Sequence, residues 1–180
     1  MVLAAGGGSR FLGDTHKLLA PLRGRPVVAW SVEAALGAGL DETVVVTGAA
    51  DLDDVLAPLP VTVLRNDAWE RGIATSLAFA VDHAAAEGHG AVVVGLGDQP
   101  SVTADAWRAV ARAAGGMLIE VATYGGQRGN PVRLDHRVWG LLDREGDEGA
   151  RTLMRRRPDL VGEVACDGSP LDVDTVEDLA

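Results

Sequence analysis

Cysteine and aromatic residues are nearly missing from this chain. Cys166 is the single cysteine, and Phe, Trp and Tyr together make up 4% of 180 residues. A lone cysteine rules out an internal disulfide framework and suits a reducing compartment, so a cytoplasmic location is expected. Neither Cys166 nor the four tryptophans form a metal- or cofactor-binding pattern, and they read as packing residues. Positive charge is also short: 16 Lys and Arg stand against 26 Asp and Glu, a formal net charge of -10. Nucleic-acid backbones and anionic membranes would be repelled by that surface, which argues against either as a partner. No charge-free stretch approaches membrane-spanning length, no basic segment precedes the first apolar residues, and no repeat, low-complexity tract or linker interrupts the chain. What remains is a soluble chain, 47% hydrophobic, long enough for one well-buried domain and short for two; residues 1–180 are expected to form one domain.

Against that background the run Val2-Leu3-Ala4-Ala5-Gly6-Gly7-Gly8-Ser9-Arg10, continued through Gly13 to Lys17, stands out. A short apolar strand feeds a glycine loop that ends in two cations. Glycines let successive backbone N–H groups converge on an anion, and the cations neutralise the charge left over, so the run reads as a phosphate-holding loop. It is neither a dinucleotide fingerprint, since Phe11 stands where a third glycine is needed, nor a P-loop, since Leu18 follows the lysine.

Downstream, Pro26 is positioned to open a helix carrying Val27, Trp30, Ala34, Ala35 and Ala38, and Thr43–Thr47 is β-branched throughout, as in a parallel strand covered on both faces. A short helix over 51–57, a strand at 61–64 and a long helix with Ile73, Leu77, Ala80, Val81 and Ala84 on its apolar face follow. Ala91–Val94 is the most apolar strand and delivers Gly97-Asp98-Gln99-Pro100, a carboxylate at the sheet edge where open α/β sheets bind ligands. Strands at 117–124 and 131–134 flank a turn-like or substrate-facing loop at 125–130. A helix over 135–142, a loop at 146–149, a basic helix ending at Pro158 and a short strand at 171–174 complete the pattern. Thr175 and Asp178 form a capping box for a last helix.

The spacing Leu3-Ala4-Ala5-Gly6-x-x-Ser9-Arg10-x-x-Gly13-x-x-x-Lys17 resembles the signature of the MobA-like NTP transferases, and within them the molybdenum cofactor cytidylyltransferases. Phe11-Leu12 and Asp14-Thr15-His16 lengthen the usual interval between arginine and lysine. The resemblance implies a three-layer α/β/α Rossmann-like fold of the nucleotide-diphospho-sugar transferase type with a mostly parallel sheet, its N-terminal part binding the NTP and its C-terminal part the acceptor. It implies transfer of CMP from CTP to a phosphorylated pterin, molybdopterin or its molybdenum form, with pyrophosphate released, Mg²⁺ as cofactor and a molybdenum hydroxylase or its chaperone as a partner.

Residue by residue, the resemblance gives Arg10 and Lys17 to the β- and γ-phosphates and Asp98, with Asp174 of the Asp-Thr-x-x-Asp-Leu ending, to the metal. Leu3, Ala4, Ala5, Gly6, Gly7, Gly8 and Ser9 go to the nucleotide; Gly72, Thr75 and Ser76 of the Trp69–Leu77 segment go to its base. Ala5 stands where related guanylyltransferases carry glycine, which favours a pyrimidine. Asn130 replaces the histidine of a glycine-histidine-proline turn lining the acceptor pocket, and an amide cannot carry a proton at neutral pH. His16 reads as a solvated bystander.

Each assignment has an ordinary alternative: surface charge for Arg10 and Lys17, a turn for Asp98, helix starts for Thr75, Ser76 and Asp174, a solvated face for the Arg151-Arg155-Arg156-Arg157 cluster. Transfer from GTP, or to a sugar or polyol phosphate, is an alternative within the fold, and a non-catalytic cofactor-delivery module an alternative outside it.

Overall fold

The apolar runs do become strands in the computed structural model, which describes residues 1–179. Strand β1 (Val2–Ala4) leads to a two-residue ribbon, β2 (Pro21–Leu22) and β3 (Arg25–Pro26), and then to helix α1 (Val27–Gly37). Strand β4 (Val44–Thr47), helix α2 (Asp53–Leu56), strand β5 (Thr62–Arg65), helix α3 (Ile73–Ala86) and strand β6 (Ala91–Leu96) continue the alternation. The second half adds helix α4 (Ala104–Ala111), strands β7 (Ile119–Tyr124) and β8 (Gln127–Asp135), helices α5 (His136–Trp139) and α6 (Arg151–Arg156) and strand β9 (Val161–Ala165).

Seven strands form one sheet in the order β5-β4-β1-β6-β8-β7-β9. All run in one direction except β8, which is antiparallel to β6 and β7. Alternation of side chains sorts the residues into two layers. Val2, Val45 and Val93 pack with α1 and α4 through Val28, Val32 and Trp107; Leu3, Val46, Val92 and Val94 pack with α3, α5 and α6 through Leu77, Val81, Val138 and Leu153. The sheet is thus covered on both faces, as the β-branched run at β4 requires.

Several elements differ from the sequence reading. Helix α4 was not expected, although Thr103 caps it by accepting from Ala106 N at 3.1 Å and Trp107 is 2% exposed on its inner face. The Trp107 ring leaves no room for a side chain at Gly95, where a Cβ would sit 2.5 Å away. The β2–β3 ribbon turns through Arg23 and Gly24, both at positive φ, a hairpin geometry whose cue was missed. The 125–130 segment is a two-glycine turn plus the start of β8. The strand expected at 171–174 is absent: β9 already covers that edge of the sheet by pairing with β7. The tail instead crosses the carboxyl ends of the strands, pinned where Val173 N donates to Asp98 O at 2.8 Å and Val173 is buried. Its close is a 3-10 turn, in which Asp178 accepts from the N–H groups of Asp174 and Thr175. Among the described residues no helix is long and apolar enough to cross a membrane.

Candidate active site

The glycine loop leaves β1 at the carboxyl edge of the sheet. Ala5 is buried, 4% exposed, and the Trp69 ring lies so close to Gly7 that a Cβ there would stand 2.9 Å from it. Gly8 has φ +62, a conformation that disfavours any side chain. His16 clips the far end of the loop. Its Nδ1 accepts from Leu18 N at 3.2 Å, so Nε2 carries the hydrogen and donates to Gly6 O at 3.0 Å. Burial lowers the His16 pKa below its ordinary value, against the pull of that carbonyl, which keeps this tautomer neutral. His16 is therefore a structural clasp rather than a bystander. The residues that lengthen the arginine–lysine interval loop outward, with Leu12 90% exposed, and the clasp returns the chain so that Lys17 still points inward.

Lys17, the one lysine in the sequence, is hydrogen-bonded to Asp98 and lies 3.4 Å from Asp174 Oδ1. Arg10 Nη1 meets the other Asp174 oxygen at 3.0 Å. Two cations and two carboxylates separated by up to 164 positions in the chain thus meet at one point, two on the N-terminal loop, one after β6 and one on the tail. The Lys17 and Asp98 side chains are 12% and 16% exposed, whereas Arg10 is 76% exposed and free to swing toward a ligand. Asp172 lies alongside. Although the residue is exposed as a whole, crowding around its carboxyl and then the Asp98 charge raise its pKa above the ordinary aspartate value.

Two cavities open beside this cluster. One, of about 300 Å³, is walled by Leu3, Ala4, Ala5 and Gly6 to Gly8 on one side and by Trp69, Gly72 and Ser76 on the other, with Lys17 and Asp98 at its end. The second, of about 600 Å³, has an apolar floor including Leu77, Val94, Val121 and Leu134 and a rim of mixed charge, in which Arg10, Arg128, Arg151 and Arg155 stand with Asp98, Asp147, Glu148 and Asp172. Asp98 and Asp147 border both, so the cavities meet at Asp98.

Most residues singled out in the sequence therefore converge, and a few do not. Arg10 borders the larger cavity, not the one beside the glycine loop. Ser9 is an exposed turn residue outside both. Thr75 is buried and outside both, its hydroxyl donating to Gly72 O at 2.8 Å and accepting from Asn66 Nδ2 at 2.8 Å. Asn66 Nδ2 also reaches Ser76 Oγ at 3.0 Å, so this buried amide braces the start of α3. Gly72, at φ +101, must be glycine: a Cβ would lie 2.3 Å from Gly146 O and 2.7 Å from Asp147 Oδ1. Ala74 N donates to Gly146 O and Gly146 N to Arg71 O, both at 2.9 Å, tying the 146–149 loop to the Trp69–Ser76 wall of the smaller cavity. The basic cluster separates: Arg156 pairs with Asp143 and Arg157 with Asp159 away from both cavities, while Arg155, paired with Glu148, and Arg151, without an ion pair among the described residues, border the larger cavity. Trp69, Gln99, Asp147 and Asp172 were missed as site residues. Proximity to Asp98 and to the tryptophan-glycine segment was the available signal for Gln99 and Trp69; nothing in the sequence marked Asp147.

Asp98 and Asp174 offer hard carboxylate oxygens bridged by Lys17, a donor set that fits Mg²⁺, which takes one or two carboxylates and completes its shell with other oxygen ligands.

Residues 1–161 match the family described as MobA-like NTP transferase domain. Nicotine blue oxidoreductase from Paenarthrobacter nicotinovorans is 34% identical over 99% of this chain and 93% of its own length. The crystal structure of Rv0371c from Mycobacterium tuberculosis H37Rv superposes with a TM-score of 0.84 at 34% identity, covering 98% of this chain and 92% of that one, and another structure of that protein is a complex with manganese. A nucleotidyl transferase from Methanothermobacter thermautotroptrophicus superposes with a TM-score of 0.83 at 28% identity over 98% of this chain and 91% of that one. On the family match over residues 1–161 and these likenesses along nearly the whole chain, the chain belongs to the MobA-like NTP transferase family of nucleotidyltransferases.

Proposed function

We propose that this protein transfers CMP from CTP to a phosphorylated pterin, molybdopterin or its molybdenum-bearing form, and releases pyrophosphate. The observation that carries the reading is that two cavities meet at Asp98, with Lys17 on the smaller and Arg10 on the larger, and that Asp174 behind them pairs with both cations. The glycine loop's N–H groups and Lys17 bind the triphosphate, and Arg10 swings from Asp174 to meet the leaving phosphates. The rim arginines hold the acceptor phosphate, already ionised at neutral pH, so that its oxygen faces the α-phosphorus and no general base is needed. Positioning and charge neutralisation then account for most of the rate, as in phosphoryl chemistry generally. Asp98 and Asp174 would hold Mg²⁺, which supplies further neutralisation of phosphate charge; the manganese complex of the related mycobacterial protein supports a divalent ion in this fold. Ala5, its methyl on the wall of the smaller cavity, favours a pyrimidine over a purine. The product would pass to a molybdenum hydroxylase or its chaperone.

A pyrophosphate-release screen over pairs of CTP, GTP, ATP or UTP with pterin, sugar and polyol phosphates tests the reading. CTP with the pterin should give the highest rate, and Asp98→Ala should lower kcat by roughly 10²–10³ or more. Near wild-type turnover in Asp98→Ala across a Mg²⁺ titration would overturn the metal assignment. The full-length match to an oxidoreductase supports one other reading, a redox enzyme on the same frame. Reduction of nicotine blue by reduced nicotinamide nucleotides, with no pyrophosphate released from any pair, would favour it.

A further inference from the structure

One polar contact in the larger cavity has a direction forced by its neighbours. Gln99 is 4% exposed, and its Nε2 donates to Pro170 O and to Asp172 Oδ1, both at 2.7 Å. A peptide carbonyl can only accept, so the nitrogen end of Gln99 must face Pro170 whatever the protonation of Asp172. Its Oε1 then faces Asn130, whose Nδ2 donates to it at 3.0 Å. The orientation of both amides follows from this chain of bonds. The segment is held from outside as well. Tyr124 Oη donates to Asn130 O at 2.7 Å, and the Pro170 ring packs against Gly129 so closely that a Cβ there would lie 2.6 Å from it. Asn130 Oδ1 has no hydrogen-bond partner among the described residues, and no side-chain polar atom among them is both buried and unpartnered, so this oxygen opens into the cavity that Asn130 borders.

We propose that Asn130 is a fixed hydrogen-bond acceptor that selects acceptor substrates presenting an N–H or amino group at the edge of a flat ring system, and that Gln99 is the positioning residue that holds it in that sense. The cavity supplies the complement. Its floor of Leu77, Val94, Val121, Val132 and Leu134 can pack against the face of a planar ring whose polar groups lie at its edge, whereas a polyol or sugar has no flat apolar face to lay on it. The inference rests on the reading above only in taking this cavity as the acceptor site.

The test uses the full chain and two fluorescent probes, the phosphate ester of 6-hydroxymethylpterin and its 2-dimethylamino-3-methyl derivative, which lacks the N–H donors. Calorimetry with CTP serves as the reference. The unmodified chain should bind the donor-bearing probe on the order of tenfold more tightly, the worth of one buried hydrogen bond. Asn130→Leu should erase that preference by weakening the donor-bearing probe alone, without changing CTP affinity. Gln99→Leu, which frees the Asn130 amide to turn, should reduce the preference while CTP still binds, a change in ratio that general loosening of the fold would not produce. The preference of the unmodified chain needs no variant to fold. Equal affinity for the two probes, or binding of neither while CTP binds, overturns the inference. A donor preference that persists in a protein unable to bind CTP would instead sink the nucleotidyl-transfer reading and leave the role of Asn130 standing.

Discussion

Replacing Lys17 by methionine keeps most of the alkyl stem and removes one charge from the centre of the site. The ammonium is bonded to Asp98 and lies 3.4 Å from Asp174 Oδ1. At the effective dielectric near a protein surface each such pair is worth about 4 kcal/mol before solvation is counted. The three side chains keep 12%, 16% and 27% exposure, so screening and desolvation offset most of that, leaving a net loss of roughly 2 kcal/mol when the ammonium goes. In a chain of this length that corresponds to a fall in Tm of about 4–8 °C in EDTA. Mg²⁺ should reverse the ranking of responses. In the wild type the ammonium competes with a cation for the same oxygens, whereas the variant leaves Asp98 without its counter-charge and Asp174 with only the exposed Arg10, so millimolar MgCl₂ should raise the variant's Tm by more than the wild type's. Scanning calorimetry in EDTA and in MgCl₂ measures both. A Lys17→Met protein with wild-type Tm in EDTA, or with a Mg²⁺ response no larger than the wild type's, would refute the picture of one charged corner shared by lysine and metal.

Arg10→Ala should weaken binding of CTP far more than of CMP, with little change in Tm because Arg10 is 76% exposed; equal losses for both nucleotides would remove it from the leaving phosphates. Ala5→Gly should narrow a CTP-over-GTP preference in kcat/KM, by an amount within the roughly 1–3 kcal/mol available to a change of one methyl, mainly by admitting GTP; an unchanged ratio would mean the base is read elsewhere. Asp135 caps α5 by accepting from Arg137 N at 3.1 Å and pairs with the Arg137 guanidinium, whose hydrogen bonds bring the carboxyl pKa down to about 2. A depressed carboxylate stabilises the fold above its unfolded value, and that contribution is lost as pH falls from about 4 to about 2. Asp135→Asn, which can still cap but no longer pairs with the exposed Arg137 guanidinium, should therefore cost up to about 1 kcal/mol at neutral pH and progressively less through that window, and a denaturation series showing a constant difference would contradict it.

The sequence by itself determined the sheet's inner strands and the two ends of the site. Val44–Thr47 and Ala91–Val94 are apolar without alternation because both faces are covered, and a glycine run between a strand and two cations admits few uses other than holding an anion. Asp98 was legible at the end of the apolar run 91–94, whereas Asp174 was singled out only through the resemblance of the Asp-Thr-x-x-Asp-Leu ending, and Asp147 and Asp172 were not marked. Tertiary structure decided what depends on side chains distant in the chain. Whether Lys17 could reach Asp98 across a lengthened loop turned on the His16 clasp, a hydrogen-bond geometry that spacing does not encode. The basic run from Arg151 to Arg157 divided into two pairs away from the cavities and two residues on the larger cavity, one of them paired, only because Asp143, Glu148 and Asp159 lie within reach. The tail at 171–174 reads as a strand by composition, yet β9 occupies the edge beside β7, and Val173 binds Asp98 instead. Strand pairing is a competition for one edge, and its outcome depends on every segment that could take the place, which no local pattern contains.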